Sequence, residues 1–170
     1  MERLHNMKSY LIYDTNDKNI VNKFKKLIVE DIVDGTEILK NLNKTDEDTI
    51  KNSLVDLMKT NDFISIIPSK PVKSIKRYYK YQIECAITSK KPIVVFNDSI
   101  IRGVVFELLP TLLKKNLNIS VPLDKKVFNH FIFKYLEDFP LMLKNNKKIA
   151  LKLDENEYVN NDLTKKWNEV

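Results

Sequence analysis

Three short runs of apolar residues constrain the fold of this chain more than any other feature. They are residues 9–13 (SYLIY), 63–67 (FISII) and 92–96 (PIVVF). Each run is compact and next to turn-forming residues, which is typical of strands. The apolar residues are continuous rather than alternating, and such strands are buried on both faces, as in a parallel sheet.

Amphipathic segments lie between these runs. Apolar residues recur at helical spacing from Ile20 to Ile28, from Ile50 to Met58 and from Tyr79 to Ile87. Thr45 is the expected N-cap of the middle helix. Strands that alternate with helices predict a flavodoxin-like, doubly wound α/β fold with a mostly parallel sheet.

The remaining segments extend this prediction to the whole chain, as one domain over residues 1–170 with an irregular helical C-terminal part over 99–170. The other expected elements are strands at 36–42, 118–121 and 149–153, a helix at 104–113 interrupted by Pro110, a helix at 127–144 broken near Pro140, and a final helix with Trp167.

The composition excludes several classes of protein. With only Gly35 and Gly103, the chain has neither of the glycine-rich loops that bind dinucleotides and nucleoside triphosphates. The apolar runs are too short to cross a bilayer, and the N-terminus lacks the pattern of a secretion signal. The single cysteine, Cys85, cannot form an internal disulfide. We therefore expect a cytoplasmic protein without a membrane partner.

Metal and thiol chemistry are not expected either. His5 and His130 are far apart in sequence, and neither has a partner at metal-ligand spacing. Cys85 has no nearby histidine and falls within a helix, where a small buried residue is the simpler interpretation. No metal ion and no bound cofactor are therefore predicted.

A basic stretch runs from residue 69 into the start of the third amphipathic segment. It holds cationic residues with no acidic residue between Asp62 and Glu84, and tyrosines interleave with them: Lys70, Lys73, Lys76, Arg77 and Lys80, with Tyr78, Tyr79 and Tyr81. Cations interleaved with aromatic rings can bind phosphates and bases. The alternative is a solvated loop, which we favour, so nucleic acid is not an expected partner. In a doubly wound sheet, however, this loop leaves the carboxyl end of the 63–67 strand, where ligands of such folds bind.

Glu84 is the main candidate for a functional residue. On a helical wheel it lies about 100° from Ile83, at the margin of the apolar face. A carboxylate there, near the strand ends, can be partly desolvated and poised for a ligand. The structural alternative is a surface glutamate paired with Lys80 one turn earlier. The residues alone leave both interpretations open.

The central segments together resemble a TIR domain. The resemblance covers about residues 8–98 and lies in FISIIPS, YYKYQIECAI and KKPIVVF, with YLIYDTND similar to the family's first strand and loop. It is strongest to the small TIR-like proteins of bacterial Thoeris antiphage defence. Lys80 stands where the family usually has an aromatic residue, and Tyr79 and Tyr81 flank it.

The resemblance implies an activity and its residues. Enzymatic TIR domains cleave the nicotinamide–ribose bond of NAD, and many convert the ADP-ribose into a signal nucleotide. The family's catalytic glutamate corresponds to Glu84, and Tyr13, Asp14, Lys80 and Tyr81 are the expected substrate-binding residues. NAD is then a substrate rather than a cofactor. The resemblance also implies self-association on activation and a separate effector that senses the product.

Two other functions are compatible with the sequence. A TIR-like adaptor without catalysis would act through an interface, for which the aromatic residues of 128–139 are candidates. A deoxyribosyltransferase-like nucleoside hydrolase would also place a glutamate near an anomeric carbon.

Overall fold

The architecture is known from a computed structural model, which describes residues 7–14, 17–27, 31–41, 46–68, 77–97, 111–148 and 150–151. The strands are β1 (Lys8–Ile12), β2 (Asp31–Asp34), β3 (Phe63–Ile66), β4 (Ile93–Asn97), β5 (Asn118–Pro122) and β6 (Ala150–Leu151). The helices are α1 (Lys18–Leu27), α2 (Gly35–Asn41), α3 (Glu47–Lys59), α4 (Arg77–Ser89), α5 (Thr111–Lys114) and α6 (Lys125–Lys144).

The strands form one six-stranded sheet in the order β2-β1-β3-β4-β5-β6, and every pair is parallel. The first five strands have the flavodoxin-like order. From β1, the chain adds β2 on one side and then β3, β4 and β5 on the other. The predicted doubly wound α/β fold is therefore confirmed. Because all strands run the same way, the sheet has a carboxyl edge, where they end, and an amino edge, where they begin.

Side chains that alternate along the strands build a separate core on each face. Leu11, Phe63 and Phe96 pack with α1 and α6 on one face. Ile12 and Ile64 pack with α2, α3, α4 and α5 on the other. Both faces of the strands are therefore covered, which explains why the strand sequences are apolar without interruption.

Helix α6 belongs to the first of these cores. Its residues Phe128, Phe131, Tyr135 and Phe139 are buried, and Phe133 is partly buried against them. These aromatic side chains are therefore core residues rather than the interface for which the adaptor hypothesis made them candidates. Burial raises the pKa of the Tyr135 phenol well above its ordinary value, and its hydroxyl donates to the carbonyl of Ile93 at 3.2 Å.

Three details of the predicted elements are wrong. The second strand is Asp31–Asp34, while residues 35–41 form α2. Asp46 rather than Thr45 caps α3: its carboxylate accepts hydrogen bonds from the Thr49 amide and hydroxyl, which lower the Asp46 pKa. Helix α6 continues through Pro140 because this residue is exposed, while Phe139 and Met142 on either side of it pack on the core.

The remaining predictions either agree with the structure or concern residues outside the described ranges. The strands near 118–121 and 149–153 are present as β5 and the shorter β6. The basic residues 69–76, residues 104–110 of the interrupted helix, His5 and the tail with Trp167 lie outside the described residues. None of the described helices has the length and apolar character needed to span a bilayer.

Candidate functional site

The carboxyl end of β1 carries Tyr13 and Asp14, and both residues are buried. The Tyr13 hydroxyl donates to Asp34 Oδ2 at the end of β2, at 3.1 Å. The Tyr13 carbonyl accepts a hydrogen bond from the Thr36 hydroxyl at 2.9 Å. Burial, and then the Asp34 carboxylate, raise the pKa of Tyr13 above its ordinary value. Tyr13 is thus held as a neutral hydrogen-bond donor at this edge.

The Asp34 carboxylate makes further contacts with a lysine and a backbone amide at this end of the sheet. Its Oδ2 atom also lies 2.8 Å from Lys25 Nζ, and its Oδ1 atom accepts the Glu37 amide at 3.1 Å. The Asp34 side chain is 17% exposed, so these contacts are partly shielded from solvent. This role of Asp34 could not be predicted from the sequence, because it depends on the pairing of β1 with β2.

Helix α4 follows β3, the strand beside β1. Its first turn is fixed at the carboxyl edge by Tyr79, whose buried ring places the hydroxyl 3.2 Å from the carbonyl of Ile67. Further along, Gln82 Oε1 accepts a hydrogen bond from the buried Tyr10 hydroxyl at 3.3 Å. This inward face of α4 therefore attaches the helix to β1 and to the residue after β3.

Glu84 lies on a different side of α4 from this inward face. Gln82 and Ala86 are buried, and residues two positions apart in a helix point about 200° apart. The Glu84 side chain is 38% exposed and lies 3.9 Å from both Lys80 Nζ and Lys51 Nζ. Glu84 is thus farther from the apolar face than the helical wheel suggested, and its predicted pairing with Lys80 is present.

Lys51 of α3 is the residue that organises this surface. Its ammonium group lies 4.3 Å from the centre of the Tyr81 ring, and it also pairs with Glu47 at 3.3 Å. Tyr81 precedes Glu84 by three residues, so the two share one side of α4. We call Lys51, Lys80, Tyr81 and Glu84 the α3–α4 cluster. The sequence showed the spacing of Glu47 and Lys51 within one helix, but not that Lys51 reaches α4.

Cys85 lies beneath this cluster and is 2% exposed. Burial raises the pKa of its thiol to about 11; Lys51 lowers it and Glu84 raises it to smaller extents. A thiol with this pKa stays protonated at neutral pH, which makes it a poor nucleophile. The structure therefore agrees with the interpretation of Cys85 as a packing residue.

The predicted site residues thus fall into two groups. Tyr13 and Asp14 lie at the carboxyl edge of the sheet, whereas Lys80, Tyr81 and Glu84 lie on α4 and contact α3. Within the described residues, no cluster of three or more histidine, cysteine or acidic side chains is arranged to hold a metal ion. The chemistry available on α4 is that of a carboxylate beside an aromatic ring and two ammonium groups.

Comparison of the chain with models of known protein families and with curated protein sequences finds no match.

Proposed function

We propose that this protein is a TIR-type enzyme that cleaves NAD and uses Glu84 as its catalytic carboxylate. The observation that carries the proposal is the composition of the α3–α4 cluster. It combines a half-exposed carboxylate, an aromatic ring on the same side of the helix, and a helix that follows the strand next to β1. The flavodoxin-like order of β1 to β5 supports it as well.

The reaction requires little beyond a well-placed carboxylate. The bond between C1′ of the ribose and the nicotinamide nitrogen breaks, and nicotinamide leaves as a neutral molecule with the bonding electron pair. Positive charge then develops on the ribose, as in glycoside hydrolysis. The Glu84 carboxylate would stabilise this charge and accept hydrogen bonds from the ribose hydroxyls.

The two possible products differ only in the attacking group. If water attacks C1′, it loses a proton and the product is ADP-ribose. If a ring nitrogen of the adenine attacks instead, the product is a cyclic nucleotide, which could serve as a signal in antiviral defence. Either route uses the same carboxylate, so Glu84 is the residue to test first.

Tyr81 and Lys80 have supporting roles in this proposal. The Tyr81 ring offers an aromatic surface next to Glu84, in place of the aromatic residue that the TIR resemblance would put at position 80. Lys80 and Lys51 would interact with the diphosphate of NAD once substrate displaces them from Glu84. Tyr13 and Asp14 would contact the substrate from the end of β1.

The experiment compares wild type with Glu84→Gln in the presence of NAD, alone and with lysate from phage-infected cells. Chromatography quantifies nicotinamide, and mass spectrometry distinguishes ADP-ribose from a cyclic product. Glu47→Gln is the matched control because Glu47 also pairs with Lys51 but lies on α3. Free nucleosides and deoxynucleosides, tested in parallel, would reveal a nucleoside hydrolase instead.

A non-catalytic TIR-like domain is the second candidate. It is favoured by the ion pairs of Glu84 with Lys51 and Lys80, which provide a structural reason for this glutamate without any substrate. In that case nicotinamide release is absent under every condition, and Glu84→Ala keeps any self-association measured by light scattering. The enzyme hypothesis expects assembly on activation together with release of nicotinamide.

A further inference from the structure

A small cleft at the amino edge of the sheet has a composition that the proposed activity does not use. It is formed where α4 ends, where β4 and β5 begin, and where α6 ends, and its volume is about 90 Å³. Its apolar lining consists of Ile87, Ile93, Leu117, Phe139 and Leu143. Ile93, Leu117 and Phe139 form its buried floor, and the more exposed Leu143 lies where the cleft opens to solvent.

Four lysines surround this apolar surface, and together with it they form what we call the lysine cleft. They are Lys90, Lys91, Lys147 and Lys148, and none of the described residues that line the cleft is acidic. None of the four has an ion-pair partner in the part of the chain that the structure describes. Lys25, Lys51, Lys59 and Lys80, by contrast, each pair with a carboxylate. The positive charge at the cleft is thus uncompensated by described residues.

The four lysines lie in the turns that follow the C-terminal ends of α4 and α6. Lys90 directly follows α4, and Asn146 follows the residue that caps α6; both adopt left-handed backbone conformations, with φ of 55° and 52°. The Lys90 amide donates to Ile87 and the Lys147 amide donates to Met142, which fixes both turns. The negative ends of these helices account for part of the preference for lysine. They do not account for the apolar surface between the lysines.

We infer that the lysine cleft binds an acidic peptide segment of a partner protein, which inserts one aliphatic side chain between Phe139 and Leu143. The cleft is well below the roughly 300–1,000 Å³ of small-molecule pockets, so it suits a single side chain rather than a nucleotide. The four lysines, which have no ion-pair partner among the described residues, select acidic residues on either side of that anchor. Charge complementarity and size therefore point to the same kind of ligand.

The site is independent of the proposed NAD chemistry. The cleft lies where the strands begin, whereas Tyr13 and Asp14 lie where they end, and Glu84 lies on α4 beside α3. A failure of one proposal consequently leaves the other intact.

Fluorescence anisotropy with two labelled synthetic peptides tests the inference. The first peptide is EDELEDE, and the second, EDESEDE, has the same charge but a serine in place of the anchor. We expect the leucine peptide to bind about tenfold more tightly or better, since one buried aliphatic side chain is worth about that factor or more. Equal binding of the two peptides would overturn the inference, as would no binding of either.

Charge-matched variants locate the binding surface. Lys147→Glu/Lys148→Glu should weaken binding of EDELEDE by about tenfold or more. Lys125→Glu/Lys126→Glu has the same net charge but changes exposed residues at the other end of α6, about 30 Å away, and should leave binding within about threefold. Equal losses in the two variants would show general attraction to a basic protein and contradict the inference.

A second pair of variants tests the apolar anchor without changing charge. Leu143→Ser removes a lining residue, whereas Leu141→Ser removes a side chain that is more exposed and does not line the cleft. Only Leu143→Ser should weaken binding of EDELEDE. Phosphatidylserine vesicles form the last arm: binding to vesicles that depends on Lys147 and Lys148, without peptide binding, would replace the inference with a membrane contact.

Discussion

The two edges of the sheet differ in whether their charged side chains have partners among the described residues. At the carboxyl edge, Asp34 accepts hydrogen bonds from Tyr13 and Lys25, and both partners belong to this chain. At the amino edge, the four lysines of the lysine cleft have no described carboxylate partner and surround an apolar surface. The Asp34 carboxylate at the carboxyl edge is therefore paired within the chain, whereas the lysines at the amino edge remain available to an acidic partner.

The α3–α4 cluster lies between these extremes. Its carboxylate, Glu84, has two lysine partners, but both ion pairs are 3.9 Å long and solvent reaches the side chain. Long, exposed pairs of this kind contribute little to stability. They can therefore be exchanged for contacts with a ligand at small cost, which is the property that a catalytic carboxylate needs.

The largest expected effect on stability comes from the closely packed end of β2. A Cβ atom at Gly35 would overlap the ring of Tyr10, whose hydroxyl bonds to Gln82. Gly35→Ala should lower the free energy of unfolding by about 1–3 kcal/mol, because this core must shift to admit the methyl group. Urea denaturation measures the loss.

A double-mutant cycle identifies the cause. In a Tyr10→Leu background the ring is gone, so Gly35→Ala should cost clearly less than it does in the wild type. Strict additivity of the two changes would contradict the steric explanation.

The next effect concerns the compensated charges of the carboxyl edge. Asp34→Asn should lower the free energy of unfolding by about 1–2 kcal/mol, because it weakens hydrogen bonds to a partly buried carboxylate. It should also lower the pKa of Tyr13, since removal of an anion favours the phenolate; burial keeps the pKa above its ordinary value. Tyrosinate absorbance during an alkaline titration records the shift.

The matched control for this change is Asp56→Asn. Asp56 pairs with Lys59 on an exposed surface of α3, and this is its only ion pair among the described residues, so its replacement should cost less than about 0.5 kcal/mol. Similar losses of unfolding free energy in the two variants would mean that the contacts of Asp34 stabilise the fold no more than an exposed ion pair does.

A smaller effect is expected at the α3–α4 cluster. Lys51→Met removes a cation that contacts Glu47, Glu84 and the Tyr81 ring, and should cost about 0.5–1 kcal/mol. Lys59→Met removes a lysine of the same helix that pairs with the exposed Asp56, and should cost less. If thermal denaturation finds no difference between them, Lys51 does not join the two helices.

The smallest effect is expected at the amino edge. Lys147→Gln/Lys148→Gln should change the free energy of unfolding by less than about 0.5 kcal/mol, because the loss of helix-end attraction is offset by reduced repulsion among the lysines. Chemical denaturation tests this, with peptide binding measured on the same sample. A loss above about 1 kcal/mol would mean that these lysines stabilise the fold rather than bind a partner.

The fold was predictable from the sequence because strands buried on both faces leave an unmistakable pattern. Continuous apolar runs located β1, β3 and β4, and helical spacing located α1, α3 and α4. The second strand was missed because Asp31–Asp34 is short, polar at both ends and only partly buried, so it lacks that pattern. Its position is set by pairing with β1.

The candidate site was predictable only in part. The pairing of Lys80 with Glu84 follows from helical spacing and was foreseen. The roles of Lys51 and Asp34 were not, because each depends on contacts between elements far apart in sequence. The lysine cleft also joins segments from three parts of the chain, so only the folded structure brings its lysines together.

The catalytic role of Glu84 is tested by the initial rate of nicotinamide release from NAD, measured for wild type, Glu84→Gln and Glu47→Gln after activation. We predict that Glu84→Gln is slower by at least about 100-fold, because its carboxamide cannot stabilise the developing positive charge, while Glu47→Gln keeps the wild-type rate within about threefold. Equal rates for wild type and Glu84→Gln, with both proteins folded, would contradict the catalytic role of Glu84.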